Sequence, residues 1–346
     1  MNHRVILPAE WAEQDAILLT WPHSDTDWAP YLSDAEAVFF AIAEAVLADQ
    51  ALIISCEDTG QLEHCRERLN PLAEQYGHAL YLYEVPADDT WARDHGPITI
   101  YDGEHTVLLD FEFNAWGDKF ASARDNAITL NLVDKGAFPG AQHHPVEFVL
   151  EGGSIESDGE GTLLTTATCL LTTTRNTGMS RETIEEKLRT LLGVQRVLWL
   201  EHGHLEGDDT DAHIDTLARF CSPDTIAYVK CSDASDPHYA ALHAMEQELL
   251  ALNTLQGKPY NLAALPMCPP IMIDGERLPA TYANFLITNG SILLPVYEVA
   301  EDEQAIAVMH GLFPDRKIVP INCRTLIRQH GSLHCVTMQL PKGVLA

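Results

Sequence analysis

Asn284-Phe285-Leu286-Ile287-Thr288-Asn289-Gly290-Ser291-Ile292-Leu293-Leu294-Pro295-Val296-Tyr297 reads as two strands, Asn284–Thr288 and Ser291–Tyr297, folded back at Asn289-Gly290. Asn and Gly accept the positive φ that a tight hairpin turn requires. Three earlier stretches have the same form. Ile98–Tyr101 and Thr106–Phe113 flank Asp102-Gly103-Glu104. Ser154–Ser157 and Thr162–Thr166 flank Asp158-Gly159-Glu160-Gly161. His213–Phe220 and Thr225–Val229 flank Ser222-Pro223-Asp224. Ala16–Thr20 and Leu333–Met338, at opposite ends of the chain, read as a fifth unit split between the termini. Their pairing would close a ring and remove open sheet edges.

Helices are expected between the hairpins. Ser33-Asp34-Ala35-Glu36 has the form of a capping box opening a helix over Asp34–Ala48. Ser180 is placed to cap Arg181–Leu192, with Gly193 just past its end. Asp236-Pro237 opens a helical stretch that runs through Leu252.

Every unit carries one chemistry-bearing residue near its hairpin: Asp94, Glu151, His213, Asn284 and Cys335, separated by 57, 62, 71 and 51 positions. Such a near-regular period suggests that each repeat delivers one side chain toward a common axis. The expected fold is therefore α/β: a pseudo-symmetric five-bladed α/β propeller of ββαβ-type repeats around a central site, with residues 1–346 forming one catalytic domain.

The 346 residues, 46% of them hydrophobic, supply ample core for one large domain. No run of 18 apolar residues marks a membrane span. The start, Met1-Asn2-His3-Arg4, is soon followed by Pro8, Glu10 and Glu13, so no signal peptide is expected. Eight scattered cysteines without a Cys-x-x-Cys pair read as reduced thiols in a cytoplasmic protein. A net charge of −30 argues against nucleic acid or an anionic membrane as partner and suits a small cationic substrate. The same charge also serves solubility alone. Association into a homo-oligomer is compatible with the sequence.

A thiol, an imidazole and three carboxylates drawn from four of these repeats are the parts of a cysteine hydrolase acting on a cationic carbon centre. Four motifs sharpen this: Trp-x-Arg-Asp-x-Gly-Pro (91–97), Leu-Glu-Gly-Gly-Ser (150–154), Gly-Asp-Asp-Thr-Asp-Ala-His-Ile-Asp (207–215) and Leu-His-Cys-Val-Thr (333–337). In this order they resemble the guanidino-group-modifying superfamily called penteins, and within it the agmatine deiminase and Porphyromonas-type peptidylarginine deiminase family. The similarity runs from Leu7-Pro8-Ala9-Glu10-Trp11 to Cys335.

The resemblance implies a five-bladed propeller that hydrolyses a guanidine to a urea and ammonia. It assigns Cys335 as nucleophile, His213 as acid and base, and Asp94 and Asp215 as carboxylates on opposite sides of the cation. Glu151 would be a supporting carboxylate that hydrogen-bonds His213 or the substrate. No metal and no cofactor are expected. The expected substrate is agmatine, whose product N-carbamoylputrescine leads toward polyamines. Peptidyl-arginine or free arginine is the alternative, and amidino transfer a further one.

Trp91, Asp209 and Asp27 are read as substrate-binding, with Asp25 and Trp28 as further candidates for a distal ammonium. Carboxylates near Cys335 should raise its pKa, so the thiol is expected to ionise mainly when the cationic substrate is bound.

Each residue also has a structural reading. Asp94 could pair with Arg93, Glu151 could serve its turn, and Trp91 could fill core. Asp215, two residues after His213 on the strand read over His213–Phe220, shares its face by period two, which favours a joint site, with a structural His–Asp hydrogen bond as the alternative. His202-Gly203-His204 with Asp208, Asp209 and Asp211 invites a rival metal-dependent amidinohydrolase, but that reading leaves the Cys335 segment unexplained. Two loops depart from the family pattern. Gln329-His330-Gly331-Ser332-Leu333 replaces a Gly-rich run with Asn, and Asp211-Ala212 replaces Asn-Gly.

Overall fold

The computed structural model describes residues 5–345, so the Met1-Asn2-His3-Arg4 start lies outside the described residues. The hairpins fold as read, and each gains a parallel strand across a helical or loop crossover. Leu286–Ile287 pairs antiparallel with Ser291–Val296, and Lys317–Asn322 then adds parallel. Ala218–Ser222, Thr225–Lys230 and Asn261–Pro266 repeat that order. So do Ile155–Ser157, Thr162–Thr166 and Arg196–Leu200. Ile98–Asp102, His105–Glu112 and Ala141–Val149 do the same, with Val5–Ile6 added on the outer edge.

The terminal unit pairs Thr337–Pro341 antiparallel with Gln14–Thr20, then Ala51–Cys56 and Leu80–Glu84 in parallel. The inner strands read as apolar runs, such as Ile17-Leu18-Leu19 and Ile292-Leu293-Leu294. All six side chains are fully buried, as strands covered on both faces must be. The expected continuous ring is not present: among the described residues the strands form separate sheets, none closed on itself. The termini are joined within one sheet and not by a seam linking all of them.

Arg181–Leu192 is the helix expected. Ser180 accepts from the Thr183 amide and Gly193 ends it at φ 68°. The capping box at Ser33 is not used. A 3-10 turn over Ala29–Tyr31 feeds directly into the helix Leu32–Leu47, so Ser33 already lies inside it. The helix expected from Asp236-Pro237 begins later, at Tyr239–Ala251, because Asp236 instead binds the His238 amide and Arg277.

The largest local correction lies at the hairpin entrances. His213 precedes a 3-10 turn, Ile214–Thr216, and the strand begins at Ala218. Cys335 sits in a second such turn, His334–Val336, ahead of Thr337–Pro341. Gly152–Ser154 is a third, and Ala92–His95 is one turn of helix. In three of these a hydroxyl three residues on donates back to a carbonyl: Ser154 to Glu151 at 2.6 Å, Thr216 to His213 at 2.8 Å, Thr337 to His334 at 3.0 Å. That local bond competes with the strand ladder and tightens the backbone. The period-two argument for His213 and Asp215 therefore fails. A turn brings them together, not a strand face.

Candidate active site

These entrance turns meet at one point. A Cβ built on Gly153 would stand 2.6 Å from His213 Nδ1, 2.8 Å from Asp94 Oδ1 and 3.2 Å from Asp215 Oδ2. Only a residue without a side chain lets the three functional groups approach this closely. Cys335 and Asp94 line the same cavity, of about 200 Å³. Cys335 Sγ lies 3.4 Å from Asn284 Oδ1, which also accepts from the His334 amide at 2.8 Å and the Cys335 amide at 3.3 Å. Asn284, the polar residue of its own repeat, thus holds the turn that carries the thiol.

Asp94 Oδ1 accepts from the Gly153 amide at 3.0 Å and lies 3.7 Å from His213 Nδ1. Its Oδ2 accepts from the Trp116 indole at 2.9 Å. Trp116 reaches it from a run, Ala115–Asp118, in which all four residues have positive φ. Left-handed backbone costs non-glycine residues roughly 1–2 kcal/mol each, and such strain concentrates at functional sites. Asp215 Oδ2 lies 2.8 Å from His334 Nδ1, while Oδ1 is buried without a hydrogen-bond partner. Both ring nitrogens of His213 are likewise buried and unpartnered among the described residues.

Burial, then the Asp215 and Asp94 carboxylates, push the Cys335 thiol well above its ordinary value. Burial also lifts Asp94 to about 6, helped by Asp215 and Glu151 and opposed by His213. At His213 burial disfavours the charge, but Asp94 and Cys169 outweigh it and raise the imidazole well above the usual histidine value. The expected tension at the thiol is therefore present in the free protein.

Glu151 does not hydrogen-bond His213. Its carboxylate takes Nε of Arg175 at 2.8 and 3.0 Å, with both side chains wholly buried. It faces His213 across a short gap that also holds Cys169, the three ligand-type atoms lying within 4.8 Å of one another.

Trp91, Asp209 and Asp27 line the cavity. Trp28 and Asp25 do not. Trp28 is fully buried and gives its indole N–H to Asp89 Oδ1 at 2.9 Å, while Asp25 is exposed beyond the cavity. Arg93 is buried, its Nη2 3.8 Å from Glu10 Oε2.

The rival metal set does not converge. His202 binds Glu248 on the surface at 2.6 Å, Asp208 accepts from the Thr210 and Ala212 amides, and Asp211 binds Arg175 and Lys119.

Sequence reasoning missed Trp116, Arg175, His334 and Asp89 as parts of the site. Asp89 receives the Trp91 indole at 2.9 Å and lines the cavity. One signal was available for the turns: Ser or Thr stands three positions after Glu151, His213 and His334. The two family departures also find an explanation. Asp211, Ala212 and His330 have φ of 66°, 64° and 65°. Asn and Gly favour such left-handed backbone, and here Asp, Ala and His adopt it at some cost. Asp208 offsets that cost by accepting from the Ala212 amide at 2.7 Å.

A buried thiol, imidazole and paired carboxylates gathered at the mouths of repeated ββαβ units define a guanidino-group-modifying enzyme fold. The chain belongs to the Porphyromonas-type peptidyl-arginine deiminase family, whose model matches residues 6–341. It is 32% identical to the agmatine deiminase of Ectopseudomonas mendocina, over 97% of this chain and 95% of that one. A cysteine-to-serine variant of C. jejuni agmatine deiminase, solved with substrate bound, superposes with TM-score 0.91 at 35% identity, covering 99% of this chain and 98% of that one. A solved Porphyromonas gingivalis protein, provisionally designated an arginine deiminase, reaches TM-score 0.93 at 50% identity, covering 99% and 100%.

Proposed function

We propose that this protein hydrolyses agmatine to N-carbamoylputrescine and ammonia through a covalent amidino-cysteine. The observation that carries the reading is the convergence of His213, Asp94 and Asp215 around Gly153, beside a cavity that Cys335 lines. Asp94 and Asp215 hold the guanidinium and preserve its charge, which keeps its carbon electrophilic. With the cation bound, Cys335 loses its proton to solvent and Sγ bonds to that carbon. Protonated His213 gives its proton to an amino nitrogen, the C–N bond breaks and ammonia leaves. Neutral His213 then takes a proton from water as the water oxygen bonds to the carbon. The C–S bond breaks, the thiolate is regained, and the protonated urea loses its extra proton. Glu151, fixed by Arg175, supports the charge on His213.

The substrate choice rests on the cavity wall. Asp27, Asp89 and Asp209 line it beyond Asp94, and among the described lining residues none is Lys or Arg. That suits the distal ammonium of a dication better than a free carboxylate. Arginine or peptidyl-arginine is the second reading, favoured by the family description and the P. gingivalis relative.

The reading takes the five three- and four-stranded sheets as five blades about the site and residues 1–346 as one catalytic domain. The partner is a small cationic guanidine, and the compartment is the cytosol. Among the described residues no helix is long and apolar enough to cross a membrane.

The test is ureido-product formation from agmatine by the purified protein in EDTA, with Cys335→Ala in parallel. Turnover by the first and not the second is expected. An active Cys335→Ala protein overturns the mechanism, and turnover of arginine or arginyl peptides alone overturns the substrate.

A further inference from the structure

His334, the neighbour of the nucleophile, has no part in the mechanism above, yet it is almost wholly buried between two carboxylates. Its Nδ1 lies 2.8 Å from Asp215 Oδ2 and its Nε2 2.7 Å from Glu10 Oε2. A neutral imidazole has one N–H and one lone pair. At these distances one carboxylate would then face a lone pair unless it carried a proton itself.

Neither carboxylate is placed to be protonated. Burial raises Glu10, but Arg219, His334 and Arg93 together hold it well below the ordinary carboxylate range. Burial raises Asp215 too, and His334 outweighs it to leave the acid below its usual value.

The other charged groups facing the ring are Arg219, whose Nη2 lies 2.8 Å from Glu10 Oε2, and Arg93. Glu156 stands behind Arg219, paired with its Nε. Burial, then Arg219 and Arg93, push the imidazole below its ordinary value, against the pull of Glu10 and Asp215 toward the charged form. The two short contacts decide in favour of two N–H groups, because hydrogen bonds with an ionised partner are the strong ones and an uncompensated buried carboxylate is costly.

The consequence falls on Asp215. With Oδ2 fixed by His334, its other oxygen is buried with no partner among the described residues. That oxygen is the one left for substrate.

We propose that His334 is a positioning residue, an imidazolium clamped between Glu10 and Asp215 that keeps Asp215 ionised and turns its free Oδ1 toward the guanidinium. Glu10, supplied from the loop ahead of Gln14–Thr20, keeps the clamp charged from the side away from substrate. The inference rests on Asp215 being a guanidinium ligand.

Two measurements test it. In the full chain carrying His213→Gln, which removes the imidazole raised by Asp94 and Cys169, ¹⁵N spectra of labelled imidazoles should show one doubly protonated ring at pH 8.5 that is absent from the same chain carrying His334→Gln as well. Finding only neutral rings overturns the clamp whether or not any guanidine is turned over. In Glu10→Gln, KM for the guanidine should rise at least 10-fold, with a smaller change in kcat. Rescue by Glu10→Asp should be partial. A folded Glu10→Gln protein whose KM matches the wild type overturns the positioning role. If Glu10→Gln fails to fold, the spectrum decides. If the wild type hydrolyses no guanidine, the proposed function fails separately, and the spectrum still decides the clamp.

Discussion

Arg175→Leu perturbs the frame behind the site at a residue that does not itself line the cavity. The guanidinium has no exposed side-chain surface and makes four polar contacts. Nε reaches both oxygens of Glu151 at 2.8 and 3.0 Å, Nη1 reaches Asp211 at 2.7 Å, and Nη2 reaches the Thr210 carbonyl at 2.8 Å. The Asp211 share is modest, because that side chain is 30% exposed and keeps Lys119 at 3.0 Å. Glu151 decides the cost, since it too is wholly buried and would be left without its cation. Removing one partner of a buried ion pair costs about 3–5 kcal/mol, whereas an exposed pair is worth roughly 0–1 kcal/mol. Equilibrium urea unfolding followed by tryptophan fluorescence should therefore show a loss of about 3–5 kcal/mol. Arg175→Leu combined with Glu151→Leu should recover most of it, because an apolar replacement of both partners leaves no buried charge. Turnover should stay low in the double variant, since it lacks the carboxylate facing His213. A single variant within about 1 kcal/mol of wild type, or a double variant no more stable than the single, would refute the reasoning.

Three further outcomes follow from the site. Asp94, lifted to about 6 by burial, must be ionised to hold a cation, so kcat/KM should fall as pH drops through about 6. Its folded value exceeds the unfolded one, so the ionised carboxylate costs stability above that pH, and the cost disappears in acid. Asp94→Asn should accordingly lose at least about 100-fold in kcat at pH 8 while melting no lower than wild type; a clear drop in Tm would contradict this. Cys335, raised by burial and two carboxylates, should react slowly with iodoacetamide at neutral pH and faster when a non-reactive guanidine is bound; rapid alkylation of the free enzyme would sink the idea. Gly153→Ala should abolish turnover with an unchanged circular dichroism spectrum, because the new methyl would meet His213, Asp94 and Asp215 at once. More than a tenth of wild-type activity would mean that those groups are not crowded together.

Hairpin punctuation made the sheets legible, since Asn289-Gly290 and Asp158-Gly159-Glu160-Gly161 carry their conformation in their residue types. Cys335, His213 and Asp94 could be picked out because each opens a repeat, and Asp215 because it stands two residues after His213 in the 207–215 motif. The path from residue to site was less legible. Strand alternation placed His213 and Asp215 on one face, but a Thr216 hydroxyl bonded to the His213 carbonyl turns the chain before the strand starts. Trp116, Arg175 and Asp89 belong to no periodic pattern. Trp116 reaches Asp94 from a left-handed loop, and Arg175 reaches Glu151 from a loop after Ala167–Leu170. Such contacts are set by tertiary packing, which a local pattern does not encode. Trp28 was read as a ligand because it stands among acids in sequence, yet its indole is spent on Asp89 inside the core.

The unsatisfied groups give the last constraint on what the site can bind. Buried polar atoms are almost always hydrogen-bonded, so exceptions call for an explanation. Among the described residues, seven buried side-chain atoms lack a partner, and three of them are Asp215 Oδ1 and the two nitrogens of His213. Elsewhere the chain pairs its buried acids fully, as with Glu151 on Arg175 or Glu10 on Arg219 and His334. Among the buried acids of the described residues the deficit is thus confined to Asp215. Asp215 Oδ1 is a free acceptor, and Asp94 beside it has carboxylate character without a matched cation of its own apart from His213. A neutral ligand could satisfy the hydrogen bonds but not the charge, and a compact ammonium could satisfy the charge but not both carboxylates in one plane. A guanidinium does both, because its N–H groups fork outward from one delocalised positive charge. Binding it also lowers the cost of ionising Cys335, so recognition and activation of the nucleophile are a single electrostatic event.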